Sequence, residues 1–279
     1  MSPQSRFTTI VLALAIGPAL AARAADEIAV KGREIFQKYQ HVTVTVQLVL
    51  KSKMSMPGYG GRSNESKQDA TGTTIDPSGL TVLSLSATDP GSILSGMASG
   101  EGDGGPDLKF KMENELTDVK ILTHDGAELP AEVVLRDKDL DLAFVRPKQR
   151  PAAPMPAIDL SHAGEAQLLD QVITLNRLGK VAGRAYAASV ERISAVVLKP
   201  RTFYAVGGDA TATTLGSPAF TLDGQLLGVF VLRIIKGGDS GGGGLMGFNF
   251  QPEGLRPIIL PASTIQKAAK QAPELKEKL

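Results

Sequence analysis

Short runs of alternating apolar and polar residues make up most of this chain. Gly, Pro and Asp punctuate them, and helical spacing is confined to the two ends. Ile28, Val30, Ile35 and Phe36 recur at helical intervals between charges and predict a short helix over 26–40. Val42 to Leu50 alternates β-branched and polar residues, the signature of a half-buried strand. The polar, Gly/Ser-rich stretch 51–72 predicts a long loop. Gly72 to Gly79 then reads as strand and turn, with Pro77 and Gly79 at the corner, and 80–85 as a buried strand. Residues 87–107 read as a Gly-rich surface insertion. Strands over 118–122 and 132–135 flank a hairpin turn at His124-Asp125-Gly126, and 141–146 forms the next strand. A proline-rich linker, 148–160, divides this first half (25–147) from a second (161–279). The second half carries strands over 172–175, 187–197, 225–232 and 257–260. A terminal helix over 262–278 ends it, with Ser263 or Thr264 near the cap. Two groups of short strands about a linker predict an all-β chain of two tandem antiparallel barrels with short terminal helices.

Composition narrows what such a chain can do. It has 30 Gly, 17 Pro and no Cys, which excludes thiol catalysis, thiolate metal sites and disulfide support. The first 24 residues read as an export signal: one positive charge before an apolar run (Phe7 to Ala21), then the small-x-small site Ala22-Arg23-Ala24. The alternative is an uncleaved membrane anchor, but the apolar run is short for a span, which needs about 20 residues. The expectation is an exported protein, periplasmic or extracellular, with no membrane span after cleavage. Losing residues 1–24 removes Arg6 and Arg23 and no acid, so the net charge moves from +1 to −1. Near-neutrality argues against a nucleic-acid partner, which calls for a basic face.

Four segments carry a family resemblance. Gly72-Thr-Thr-Ile-Asp-Pro-Ser-Gly-Leu-Thr-Val-Leu83 resembles the strand that leads to the catalytic histidine of trypsin-like proteases in their exported HtrA (Deg) form. Asp125 to Val134 resembles the family's D-G-x-x-x-x-A-x-V-V hairpin, and Asp139 to Val145 its strand with the catalytic aspartate. Gly216-Ser217-Pro218-Ala219-Phe220-Thr221-Leu222-Asp223-Gly224 to Val229 resembles the stretch after the nucleophile. Leu260 to Lys267 resembles the strand-to-helix ending. The resemblance spans roughly residues 40 to 270 and implies two six-stranded barrels.

It also implies a degenerate site. The histidine position falls on Ser86, the aspartate on Asp141 and the nucleophile on Leu215. The glycine that would help form an oxyanion hole is replaced by Thr213. Gly216 is kept, and Ser217 stands where another glycine is expected. A serine protease needs an alcohol, an imidazole base and an acid that orients it, and leucine offers no nucleophilic atom. Losing such a triad costs about 10⁶ in rate. The plainer reading of Asp141 is a polar residue that opens a strand and caps nearby backbone amides.

Other residues compete for the same roles. Gly238-Asp239-Ser240-Gly241-Gly242 spells a trypsin-type nucleophile signature, so Ser240 is an alternative nucleophile. Its plain reading is a polar loop, because the expected strand-turn-strand already follows Leu215. Ser217 as a displaced nucleophile would need a two-residue deletion. His41, His124 and His162 are the three histidines, and none stands at the base position. No metal or cofactor is expected. Asp137, Asp139 and Asp141 lack the glycine and closing glutamate of a calcium loop, and the glycine-rich tracts 100–105 and 237–244 lack a phosphate-loop ending. The expected function is that of a pseudoprotease binding a peptide or protein partner between the barrels. The alternatives are an active serine endopeptidase using Ser240 and a structural envelope component.

Overall fold

The computed structural model describes residues 17–56, 59–88, 111–207, 214–234 and 255–274. Helix α1 (Gly17–Tyr39) precedes a first barrel of β1 (Thr43–Met56), β2 (Tyr59–Thr74), β3 (Thr81–Ser84), β4 (Lys111–Leu122), β5 (Glu128–Asp137) and β6 (Leu142–Pro147). The short helix α2 (Leu85–Thr88) follows β3. The second barrel holds β7 (Gln171–Arg177), β8 (Tyr186–Val197), β9 (Phe203–Gly207), β10 (Pro218–Thr221), β11 (Leu226–Ile234) and β12 (Leu255–Pro261), and α3 (Ala262–Ala269) follows it. Both sheets close, in the orders β1-β2-β3-β6-β5-β4 and β10-β11-β12-β9-β8-β7, with every pairing between these strands antiparallel. The all-β, two-barrel expectation is met.

Strands at the junction are buried on both faces, and their alternation sorts side chains between cores. In β6, Leu142 and Phe144 join an apolar cluster shared by the two barrels, while Ala143 and Val145 face the interior of the first. In β11, Val229 and Val231 face the shared cluster, and Leu227 and Phe230 fill the second barrel. That shared cluster also takes Ile265 and Ala268 from α3 and Ile35 from α1. Helix α1 leads into the first barrel yet packs on the second: Tyr39 stacks on Phe220 with ring centroids 4.8 Å apart. Its buried stripe is Ile35, Phe36 and Tyr39, and Val30, expected on that stripe, is 42% exposed.

Two expectations are corrected. Within the expected loop 51–72, residues 51–56 and 59–72 are strand. β1 pairs with β2 from Thr43↔Thr73 out to Met56↔Tyr59, and with β4 on its other edge. The backbone of β1 is hydrogen-bonded on both sides, so the ribbon stands without an apolar face over Asn64 to Gln68. Helix α3 begins after Pro261 with no side-chain cap, so neither Ser263 nor Thr264 caps it, and it ends at Ala269 rather than 278. The linker is held to the first barrel: Met155 N–H donates to the Pro77 carbonyl at 3.0 Å and Ile158 N–H to that of Thr74 at 3.0 Å. Of the expected insertion over 87–107, residues 87 and 88 belong to α2 and 89–107 lie outside the described residues.

Candidate functional site

Asp141 sits one residue ahead of β6 in a left-handed backbone conformation, φ 56°. That bend turns its carboxylate into the junction of the barrels. Oδ1 accepts the Ser86 backbone N–H at 2.8 Å and the Ser86 hydroxyl at 2.6 Å. Oδ2 accepts the Ser84 hydroxyl at 2.5 Å and the Leu232 N–H, from β11 of the second barrel, at 2.7 Å. Two donors therefore meet each oxygen. Burial raises the pKa of Asp141 above the ordinary carboxylate value, while the hydroxyls of Ser84 and Ser86 and the two backbone donors pull it down. The plain reading of Asp141 as an amide cap holds, and it extends to a clamp across the two barrels.

Gly216 and Ser217 lie on the same edge of β11. Gly216 N–H donates to the Phe230 carbonyl at 2.7 Å, and Phe230 N–H donates to the Ser217 carbonyl at 3.0 Å. Phe230 precedes Leu232 by two residues, about 7 Å along a strand. The segment 215–217 and Asp141 are thus neighbours on one strand edge. Leu215 is 6% exposed. Gly216 presses on the first barrel: its carbonyl accepts the Thr73 hydroxyl at 2.8 Å, and a Cβ there would lie 1.9 Å from the Thr71 carbonyl oxygen.

Ser86 and Asp141 are in direct contact, and Leu215 precedes Gly216, which bonds β11 two residues from Leu232. No imidazole joins them, since none of the three histidines is among the hydrogen-bond partners of Asp141. His41 lies against His124, with centroids 4.7 Å apart, and edge-on to Tyr186. His162 is exposed in a turn with Asp159 and Ser161. Ser217 is fully buried, and its hydroxyl has no partner among the described residues that could take its proton. Asp137 caps its own turn, its Oδ1 accepting the Leu140 N–H at 3.0 Å. Ser240 and Thr213 lie outside the described residues. Among the described residues, no cluster of three or more His, Asp or Glu could hold a metal ion, and no helix is long and apolar enough to cross a membrane.

Sequence reasoning passed over Ser84 and Leu232. A signal for Ser84 was present only as a second hydroxyl two residues before Ser86, and the strand ends between them. Leu232 contributes only its backbone, so its side chain gives no signal.

Among family models, one described as "Trypsin-like peptidase domain" matches residues 70–229. No curated protein matches the chain.

Proposed function

Because the chain belongs to the trypsin-like peptidase domain family, we propose that it is an exported, catalytically inactive member that binds extended polypeptide at the junction of its barrels. The observation that carries this reading is how the Asp141 carboxylate is engaged. Both oxygens are taken up by serine hydroxyls and backbone amides, where a protease of this family would orient an imidazole. Serine at 86 is no base near neutral pH, and the buried Leu215 side chain supplies an apolar floor where the nucleophile would stand. An extended peptide laid along this edge would bind through main-chain hydrogen bonds, with side-chain pockets giving selectivity. Export is supported by the basic start, apolar run and small-residue site of the first 24 residues. Cleavage after Ala24 would keep the stretch of α1 that packs on the second barrel.

The test uses full-length protein expressed with its leader. The expected outcome is a mature chain starting near Ala25 by mass spectrometry, saturable binding of fluorescein-labelled casein by anisotropy, and no cleavage of that casein. Substituting Ser86→Trp should weaken binding at least fivefold. Casein hydrolysis that a single substitution removes defeats the inert reading. The GDSGG segment favours a second reading, a serine hydrolase acting through Ser240. Fluorophosphonate labelling that Ser240→Ala abolishes would establish that reading in its place.

A further inference from the structure

A cavity of about 1290 Å³ opens at the other end of β6 from Asp141. The β2–β3 turn, the two ends of the linker and the outer face of α3 enclose it, so it joins the first barrel to the terminal helix of the second. Arg146 lines it and is only 8% exposed. One nitrogen of the guanidinium, Nη1, donates to the Ser78 hydroxyl at 2.7 Å. Its Nε is sealed from solvent and has no partner among the described residues. Buried charges in proteins are paired, because taking a guanidinium from water without a counter-charge is costly. No such partner comes from the cavity's own acids. The Asp76 carboxylate accepts the Ser78 N–H at 2.7 Å, and that of Asp159 accepts the Ser161 N–H at 2.8 Å. Glu274 also lines the cavity, and none of these three acids forms an ion pair with Arg146 among the described residues. Lys148, Arg150 and Lys270 add positive charge around the mouth, and Leu80, Leu160 and Ala269 give apolar wall.

We propose that this cavity binds a small organic anion, its carboxylate or phosphate received by Arg146 with Lys148 and Lys270 at the mouth, and its carbon portion against Leu80, Leu160 and Ala269. A guanidinium suits either anion because its planar donors match two oxygens at once. The volume exceeds that of most small-molecule sites, about 300–1,000 Å³, so a ligand with a carbon skeleton fits as well as a bare ion. A ligand here touches the first barrel, the linker and α3, so binding stabilises their docking. The assignment does not depend on whether the Asp141 site is inert.

The test is calorimetric titration and thermal unfolding of the full chain with sodium phosphate and, separately, sodium hexanoate. Sodium chloride at matched ionic strength is the baseline. The expected result is saturable heat and a Tm increase beyond chloride for at least one anion, the stronger arm separating phosphate from carboxylate. Arg146→Gln should weaken that binding at least tenfold. Should Arg146→Gln fail to fold, the Lys148→Gln/Lys270→Gln double variant, at exposed positions, should weaken it at least threefold with an unchanged circular dichroism spectrum. Lys267→Gln, exposed on α3 outside the cavity, should bind as the parent does. No saturable effect with either anion, or equal weakening by Lys267→Gln, overturns the proposal.

Discussion

Gly216 combines two constraints that fall on few residues: a positive φ of 85°, and no room for a Cβ, which would meet the Thr71 carbonyl oxygen at 1.9 Å. The obstruction is backbone of a neighbouring strand, so no side chain can swing away to relieve it. Gly216→Ala should therefore destabilise by about 3 kcal/mol or more, combining left-handed strain with a backbone clash; urea unfolding measures it. Asp141 is constrained differently. Removing its carboxylate strands the Ser86 and Leu232 N–H groups and two serine hydroxyls at the barrel junction. An unsatisfied buried donor costs about 1–3 kcal/mol, so Asp141→Ala should cost about 2–5 kcal/mol in the same assay. Ser84→Ala should cost about 1 kcal/mol, because it removes one hydroxyl and leaves the backbone donors paired. Asp141 was legible in the sequence through its motif. Its bridging role was not, because two of the four donors are backbone or sit on a strand 91 residues away.

Between elements, a ring cluster ties the start of the first barrel to the second. His41, in the turn before β1, faces His124 of the β4–β5 hairpin and Tyr186 of β8. Arg177, at the end of β7, lies over the Tyr186 ring at 4.6 Å, and Asp125 beside His124 also acts on Tyr186. Burial lowers the pKa of His41 below its usual 6.5, and His124 and Arg177 lower it further. Its Nδ1 is buried without a partner among the described residues. The folded state thus binds this proton less readily than the unfolded chain does. The stability it contributes is present above pH 6.5 and is lost as pH falls through its folded pKa. Replacing His41→Gln should flatten the loss of stability between about pH 7 and pH 5 relative to the parent, as urea midpoints across that range would record. Sequence placed His124 in a hairpin turn but could not bring it to His41, a contact that follows from β1 pairing with β4, nor His41 to Tyr186, which depends on how the two barrels dock. The β1–β2 ribbon was illegible for a related reason. Polar residues outnumber apolar ones over 51–72, and pairing of β1 on both edges, rather than burial of a face, holds that ribbon straight.

For the whole molecule, the division into two strand groups follows from alternation and turn chemistry, which are local, whereas the strand order, with β1 on β4 and β3 on β6, is not. The docking of the barrels is not local, and it sets where the three positions of the resemblance meet. β11 brings them together: one edge receives segment 215–217 through Phe230 and Asp141 through Leu232. If the scaffold is intact and only side chains are missing, chemistry should return when they are restored. Ser86→His places an imidazole at a position whose backbone N–H already bonds Asp141 Oδ1 at 2.8 Å, and Leu215→Ser places a hydroxyl about two strand residues away along β11. The double variant should react with a fluorophosphonate probe and hydrolyse an activated ester, while the parent and each single variant do not. A third change, Asp141→Asn, should remove most of the regained activity by leaving the imidazole without its acid partner. Turnover should stay well below that of an intact protease, because the oxyanion segment keeps Thr213 and Ser217 in place of glycines. Labelling of the Leu215→Ser single variant would instead mean that another group already serves as base, and it would remove the premise that Ser86 is what silences the site.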